Sequence, residues 1–315
     1  MPERWRDPSP HKSLFAKING IRLNYLDWGG TGPPLILIHG IEDNPHAFDS
    51  LAPKLTSHFR VLAYARRAHG RSGARGPYDI ATLVEDLCGF MDRLHIRTAH
   101  LAGYSMGGNE VTAMAATHPG RVGRIVYLDG GYDWGDPTCA AMKDPPGRWL
   151  APASAFHSLD ACRAFLLRLY PELKRARWFE AWIRDAVVVR RNGSVRRRRS
   201  DRAREGVNKA LWSQTRDYTR VRAPALAIYA TRFLDPHAGT RGGAGLARWE
   251  SHVFGPFREA SKRRLRSELR GSKIMTIRGT HSGFFTISED QVARTMIRFL
   301  SGRMNGHTRS ILPAR

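Results

Sequence analysis

Short apolar runs alternating with helical patterns limit this chain more than any other feature. Leu35–Ile38 is such a run, Arg60–Tyr64, Ala99–Ala102 and Arg124–Leu128 read the same way, and further strands are expected at Pro224–Ala230 and Lys273–Ile277. Runs this short and this apolar belong to strands buried on both faces, as in a parallel sheet. Ile21–Asp27 alternates apolar with polar, the pattern of a half-buried strand. From Asp79 onward, Ile80, Leu83, Val84, Leu87, Phe90 and Met91 recur at three- and four-residue spacing, which is one face of a helix. A closing helix is expected over Glu289–Leu300, and an Arg-rich one between Ala247 and Arg270. Repeated strand–helix units imply an α/β fold, a mostly parallel sheet with helices on both faces.

The rhythm stops after Leu128. From about Gly131 to Val221 the chain carries helix-like segments with Trp134, Trp149, Trp178, Phe179, Trp182 and Trp212. We read this stretch as a helical insert whose aromatic residues mostly form its own core. Arg303–Arg315 reads as a loose tail. A chain of 315 residues then fits one large domain with an insert.

Residues 103–107 read Gly-Tyr-Ser-Met-Gly. The pattern G-x-S-x-G matters where a strand precedes it and a helix follows. The glycines then permit a strained turn that lifts the serine hydroxyl above the sheet edge. Ala99–Ala102 and Asn109–Ala116 supply that strand and helix. The backbone N–H of Met106 would lie at the helix N-terminus, where a developing oxyanion is favoured. A serine hydroxyl is a weak nucleophile alone and needs a general base oriented by a carboxylate.

With these pieces the sequence resembles the α/β-hydrolase family. The matching segments are His39-Gly40 after a strand, His69-Gly70-Arg71-Ser72, GYSMGG at 103–108, Thr117–Val122, and Gly279-Thr280-His281. The resemblance implies an eight-stranded, mostly parallel sheet built from residues 1–131 and 222–315. It implies a helical cap, residues 132–221, inserted after the sixth strand. Ser105 would be the nucleophile and His281 the base, with oxyanion donors at Ile41 and Met106. His39, Gly40, Tyr104 and Trp134 would line the substrate site, although His39 is more apt to shape the oxyanion loop. His46, His69 and His237 read as surface or loop residues. The sequence departs from the family at Ala65 and Ala68, where Asp and Gly are usual, and we read this as a change in loop packing.

The acid has two candidates. The family's usual Gly-x-x-Asp would fall at 233, but Phe233 stands there and Asp235 follows two residues later. Asp129, at the end of the preceding strand, is the alternative and the preferred one. Asp133 and Asp136 are weaker choices.

The expected activity is hydrolysis of a carboxylic ester or similar acyl bond in a small, largely apolar substrate. A thioesterase, lactonase, carbon–carbon hydrolase or perhydrolase would use the same residues. Epoxide hydrolases and haloalkane dehalogenases use an Asp nucleophile, which Ser105 argues against. A non-catalytic ligand-binding or receptor protein on the same fold is the alternative from another class. No cofactor or metal is expected, since no ligand-spaced cluster and no G-x-G-x-x-G after a strand is present. The net charge is +23, with an arginine cluster over Arg190–Arg204. It reads as a solvated face able to bind anions without specificity, and no nucleic-acid motif accompanies it. Three scattered cysteines, no apolar leader and no long apolar run fit a cytoplasmic chain without a membrane span.

Overall fold

The computed structural model describes residues 5–136, 156–213, 215–235 and 243–302. Eight strands form one sheet in the order β1-β2-β4-β3-β5-β6-β9-β10. They are β1 (Lys12–Ile18), β2 (Ile21–Gly29), β3 (Pro34–Ile38), β4 (Arg60–Tyr64), β5 (Ala99–Tyr104), β6 (Val122–Leu128), β9 (Ala225–Ala230) and β10 (Lys273–Ile277). β2 runs antiparallel to β1 and β4, and the other pairings are parallel.

The apolar runs of β3, β4, β5, β6 and β9 bury both faces, as their composition requires, while β10 at the sheet edge is mostly part-buried. Ile36 and Ile38 of β3 join the core beneath α1 (Ile80–Arg93) and α2 (Gly107–Thr117). Leu35 and Leu37 join the opposite core with Val292, Met296 and Phe299 of α8 (Glu289–Leu300). Two-residue alternation thus divides each strand between two cores. Asp79 caps α1 by accepting the Thr82 N–H at 2.9 Å.

β1 is absent from the sequence reading. It is an edge strand whose first three residues are exposed and whose buried contribution is Ala16 and Ile18. So weak an alternation carries little signal. The Arg-rich helix also differs in detail. It runs as α6 (Gly243–Trp249), a π-helical stretch over Glu250–Phe254, and α7 (Gly255–Glu268).

Between adjacent strands β6 and β9 lies the insert. Its described part holds α3 (Leu159–Leu169), α4 (Phe179–Ala186), α5 (Asp201–Ser213) and a small hairpin, β7 (Val187–Val189) with β8 (Val195–Arg197). The hairpin corrects the expectation of a purely helical insert. Cys162, Leu173, Trp178, Phe179, Ile183 and Val195 form a separate small core there. Val207 and Leu211 of α5, like Trp134, pack into the main core. Trp149 lies outside the described residues, as do His237 and the tail from Arg303. No helix among the described residues is long and apolar enough to cross a membrane.

The chain turns in opposite directions from β3, to β4 on one side and β5 on the other. The crevice beyond the carboxyl ends of such strands is where ligands bind in open α/β sheets. Here backbones meet too closely for side chains. A Cβ on Gly108 would stand 1.9 Å from Gly130 O, and one on Gly107 would stand 2.3 Å from Ile38 O. These contacts lock the turn after β5 to the turns after β6 and β3. Gly108→Ala should therefore destabilise the fold by about 3 kcal/mol or more, read as a lower urea midpoint. An unchanged midpoint would show that the turns are free to separate.

Candidate active site

Ser105 follows β5 with φ of 52°, the left-handed region. That conformation costs an L-residue about 1–2 kcal/mol, and surrounding contacts hold it in place. The Ser105 N–H donates to Leu128 O at 3.2 Å, and the Gly108 N–H donates to Ser105 O at 2.9 Å. Met106 is the N-cap of α2, so its N–H lies among the helix donors that lack an intrahelical partner. From the other side comes the loop after β3. A Cβ on Gly40 would lie 3.2 Å from Ser105 Cβ, which sets Gly40 and the adjoining Ile41 beside the serine.

Asp129 ends β6 and is also left-handed, with φ of 44°. Its carboxylate is 1% exposed and fully engaged. Oδ1 accepts the Ala230 N–H at 3.0 Å and the Tyr132 hydroxyl at 2.7 Å. Oδ2 lies 2.7 Å from His281 Nδ1. Since a carboxylate only accepts, Nδ1 carries the proton and Nε2 is left as the acceptor. The loop after Asp129 is clamped from behind. Arg216 donates to Gly130 O, while Tyr229 and Tyr218 donate to Gly131 O at 2.9 and 3.2 Å.

The structure therefore brings Asp129 and His281 together. Asp235 lies part-buried near Glu172. Asp133 is bonded to Arg264 and accepts the Arg216 N–H at 3.0 Å, and Asp136 lies 3.8 Å from Arg264. At 233, the family's usual acid position, Phe233 stacks on the His281 ring with centroids 4.2 Å apart and planes at 20°. Nothing in the local sequence marks Phe233 for that task beyond its occupying the acid's place.

Three residues read as substrate contacts have other work in the structure. His39 is fully buried; Nδ1 donates to Gly40 O at 2.8 Å and Nε2 accepts the Arg66 N–H at 3.1 Å. Burial, with the Arg66 charge nearby, holds His39 far below the usual imidazole range, so it is neutral. It shapes the loop. Tyr104 donates its hydroxyl to the His281 backbone carbonyl at 3.1 Å and packs beside that ring. Trp134 is 7% exposed within a cluster of Tyr132, Trp212, Phe233 and Phe257. His46 and His69, expected at the surface or in loops, are 4% and 3% exposed.

Beneath the site, Arg66 and Glu110 form an ion pair with both side chains fully buried, Nε to Oε2 2.7 Å. Breaking such a pair by removing one partner costs about 3–5 kcal/mol. Arg67 grips Asp86 with two bonds of 2.6 and 2.7 Å. Ala68 keeps a left-handed φ of 61° where the family has glycine.

The insert reaches both sides of this site. Trp182 Nε1 donates to Asp43, and Asn44 donates to Trp182 O at 2.9 Å. Thr280 donates to Glu172 at 2.7 Å. Arg199 and Arg204 pair with Glu42, and Arg197 stands 3.8 Å from it. These arginines turn inward, which corrects the reading of the cluster as a solvated face; Arg190, Arg191, Arg196 and Arg202 remain exposed.

Burial pushes the Asp43 carboxyl from an ordinary 3.8 up to about 6. A carboxyl raised on folding stays protonated in the native state between those values, so its ionisation costs stability as pH rises through them. Asp43→Asn should remove that decline, leaving a flatter denaturant midpoint between about pH 4 and pH 6. An identical slope in wild type and variant would show that Asp43 ionises freely.

Comparison with known proteins places these features in context. The sequence profile described as alpha/beta hydrolase fold matches residues 33–239. A "Putative non-heme haloperoxidase" of Mycobacterium phage D29 is 40% identical over 105 residues, 32% of this chain and 37% of the relative. A "Putative carbamate hydrolase RutD" of Caulobacter segnis is 32% identical over 117 residues, 36% of this chain and 44% of the relative. The matched stretch thus spans less than half the length of these curated relatives. The solved structure of E-2-(acetamidomethylene)succinate hydrolase superposes with a TM-score of 0.73 at 21% identity, covering 92% of this chain and 99% of that one. The thioesterase domain from the curacin biosynthetic pathway gives 0.70 at 17% identity, covering 91% and 99%. At such identities these two show the fold alone.

Proposed function

The chain belongs to the α/β-hydrolase fold family, and from that premise we propose that it is a serine hydrolase in which Ser105, His281 and Asp129 act as one relay. The observation that carries this is the 2.7 Å contact between His281 Nδ1 and Asp129 Oδ2. It fixes the imidazole tautomer a general base requires. His281 Nε2 takes the Ser105 proton as Oγ attacks a substrate carbonyl carbon. The imidazolium that forms faces the buried Asp129 carboxylate. The tetrahedral oxyanion is held by the backbone N–H groups of Ile41 and Met106, each worth about 3 kcal/mol of barrier. His281 then gives the proton to the leaving oxygen, and a water molecule, activated by the same base, frees the acyl group and restores Ser105.

We assign the substrate to small, largely apolar carboxylic esters or related acyl compounds. The relative named "Putative carbamate hydrolase RutD" fits that breadth. We further propose that residues 132–221 act as the cap. The bonds from Trp182, Glu172, Arg199 and Arg204 to loops on both sides of Ser105 support this reading.

Hydrolysis of p-nitrophenyl esters of increasing chain length tests the proposal. Wild type should cleave short and medium chains. Ser105→Ala should lose at least about 10³-fold in kcat while keeping the wild-type circular dichroism spectrum. Undiminished cleavage by a pure, folded Ser105→Ala variant would overturn the assignment.

A further inference from the structure

Away from Ser105, four side chains converge that the proposed chemistry does not use: Asp7 and His11 from the N-terminal segment, and His46 and Asp49 from the 3₁₀ turn that follows the His39–Ile41 loop. One ligand atom from each lies within 4.8 Å of every other. His11 Nε2 is 3.2 Å from Asp7 Oδ2 and 3.4 Å from Asp49 Oδ1. His46 Nδ1 is 3.5 Å from Asp7 Oδ2 and 2.8 Å from Asp49 Oδ2. Four donors held about 2.0–2.1 Å from a tetrahedral zinc ion stand roughly 3.3–3.4 Å apart. Three of these four distances are close to such edges, and the fourth, 2.8 Å between His46 Nδ1 and Asp49 Oδ2, is a hydrogen bond that an ion would replace.

Burial strengthens the reading. The side chains of His11, His46 and Asp49 are 3%, 5% and 3% exposed. Neither ring nitrogen of His11 meets hydrogen-bond geometry with any described residue. The surroundings supply the supports that ligands need. His46 Nε2 faces Asp185 Oδ2 of α4 at 3.4 Å, the carboxylate–histidine arrangement that orients a metal-bound ring. Ser9 holds both carboxylates, its N–H donating to Asp7 Oδ1 and its hydroxyl to Asp49 Oδ2, each at 3.0 Å. A cleft of about 200 Å³, lined in part by Trp5 and Arg71, gives a way in.

We propose that Asp7, His11, His46 and Asp49 form a structural site for a divalent first-row transition ion, with zinc the best match. Two imidazoles and two carboxylates make a borderline N₂O₂ set, which suits zinc and not magnesium. The two carboxylates would neutralise the ion. Bound there, it ties the N-terminal segment to the turn behind the oxyanion loop, and through Asp185 to the insert. The expectation of no metal site rests on sequence spacing, and these ligands come from segments that only folding brings together.

Tag-free protein stripped with a chelator is titrated with Zn²⁺ by calorimetry, and in parallel with Co²⁺ and Mg²⁺. The proposal predicts one Zn²⁺ per chain and the visible absorption of tetrahedral Co²⁺. At a hundredfold excess of Zn²⁺ over Kd, Tm should rise by roughly 5 °C, with no response to Mg²⁺. His11→Gln should lose the stoichiometric event. Asp185→Asn, outside the four ligands, should keep one equivalent but bind about 10–100-fold more weakly. Folded wild type that takes up no stoichiometric Zn²⁺ would overturn the proposal and leave a proton-bridged His–Asp network. So would unchanged binding by His11→Gln.

Discussion

The hydrogen bond between His281 and Asp129 joins residues 152 positions apart, both nearly sealed from water. Much of the surrounding structure holds its two ends still. On one side the Asp129 turn is left-handed, packed against the serine turn through Gly130, and clamped by Arg216, Tyr218 and Tyr229. On the other, the His281 ring lies against Phe233, and its backbone carbonyl accepts the Tyr104 hydroxyl. Buried polar groups are costly unless satisfied. Here each Asp129 oxygen has a partner, so the carboxylate is aimed at the imidazole and offers no alternative geometry.

The parts of this arrangement that depend on adjacent residues are legible in the sequence. A strand, a G-x-S-x-G turn and a helix occupy neighbouring positions, so Ser105 and Met106 can be placed without knowing the rest of the chain. The parallel strands declare themselves by being apolar on both faces. The acid is harder, because it depends on which of two loops, those after β6 and β9, directs a carboxyl toward His281. Sequence spacing favours Asp129 but leaves Asp235 open, and it does not reveal Phe233 as the surface supporting the imidazole. β1 escapes notice for a different reason: an edge strand half in water buries too little to make a pattern.

The arginines show the same limit. Arg197, Arg199 and Arg204 sit in a run that composition reads as a solvated face, and folding gathers them around Glu42. Exposed neighbours in the same run keep the solvated role. Charge counted along a chain does not say which members find a partner, since partners come from other segments. Glu42, Asp43 and Asn44 adjoin the loop of the proposed oxyanion donor Ile41 and bond to the insert, so the position of the insert and the shape of that loop are coupled. The His–Asp cluster lies a few residues further along the same segment. The loop from His39 to Asp49 is thus held by the sheet, the insert and the N-terminal segment at once.

The claim that matters most is that the carboxylate at the end of β6 activates the serine. The direct measurement is the rate at which a fluorophosphonate modifies Ser105, followed by intact mass and peptide mapping, in wild type, Asp129→Asn and Asp235→Asn. The account predicts a single adduct on Ser105, labelling slowed by about 10³–10⁴-fold in Asp129→Asn, and a wild-type rate in Asp235→Asn. Slow labelling of Asp235→Asn with a normal rate in Asp129→Asn would contradict it and move the acid to the loop after β9.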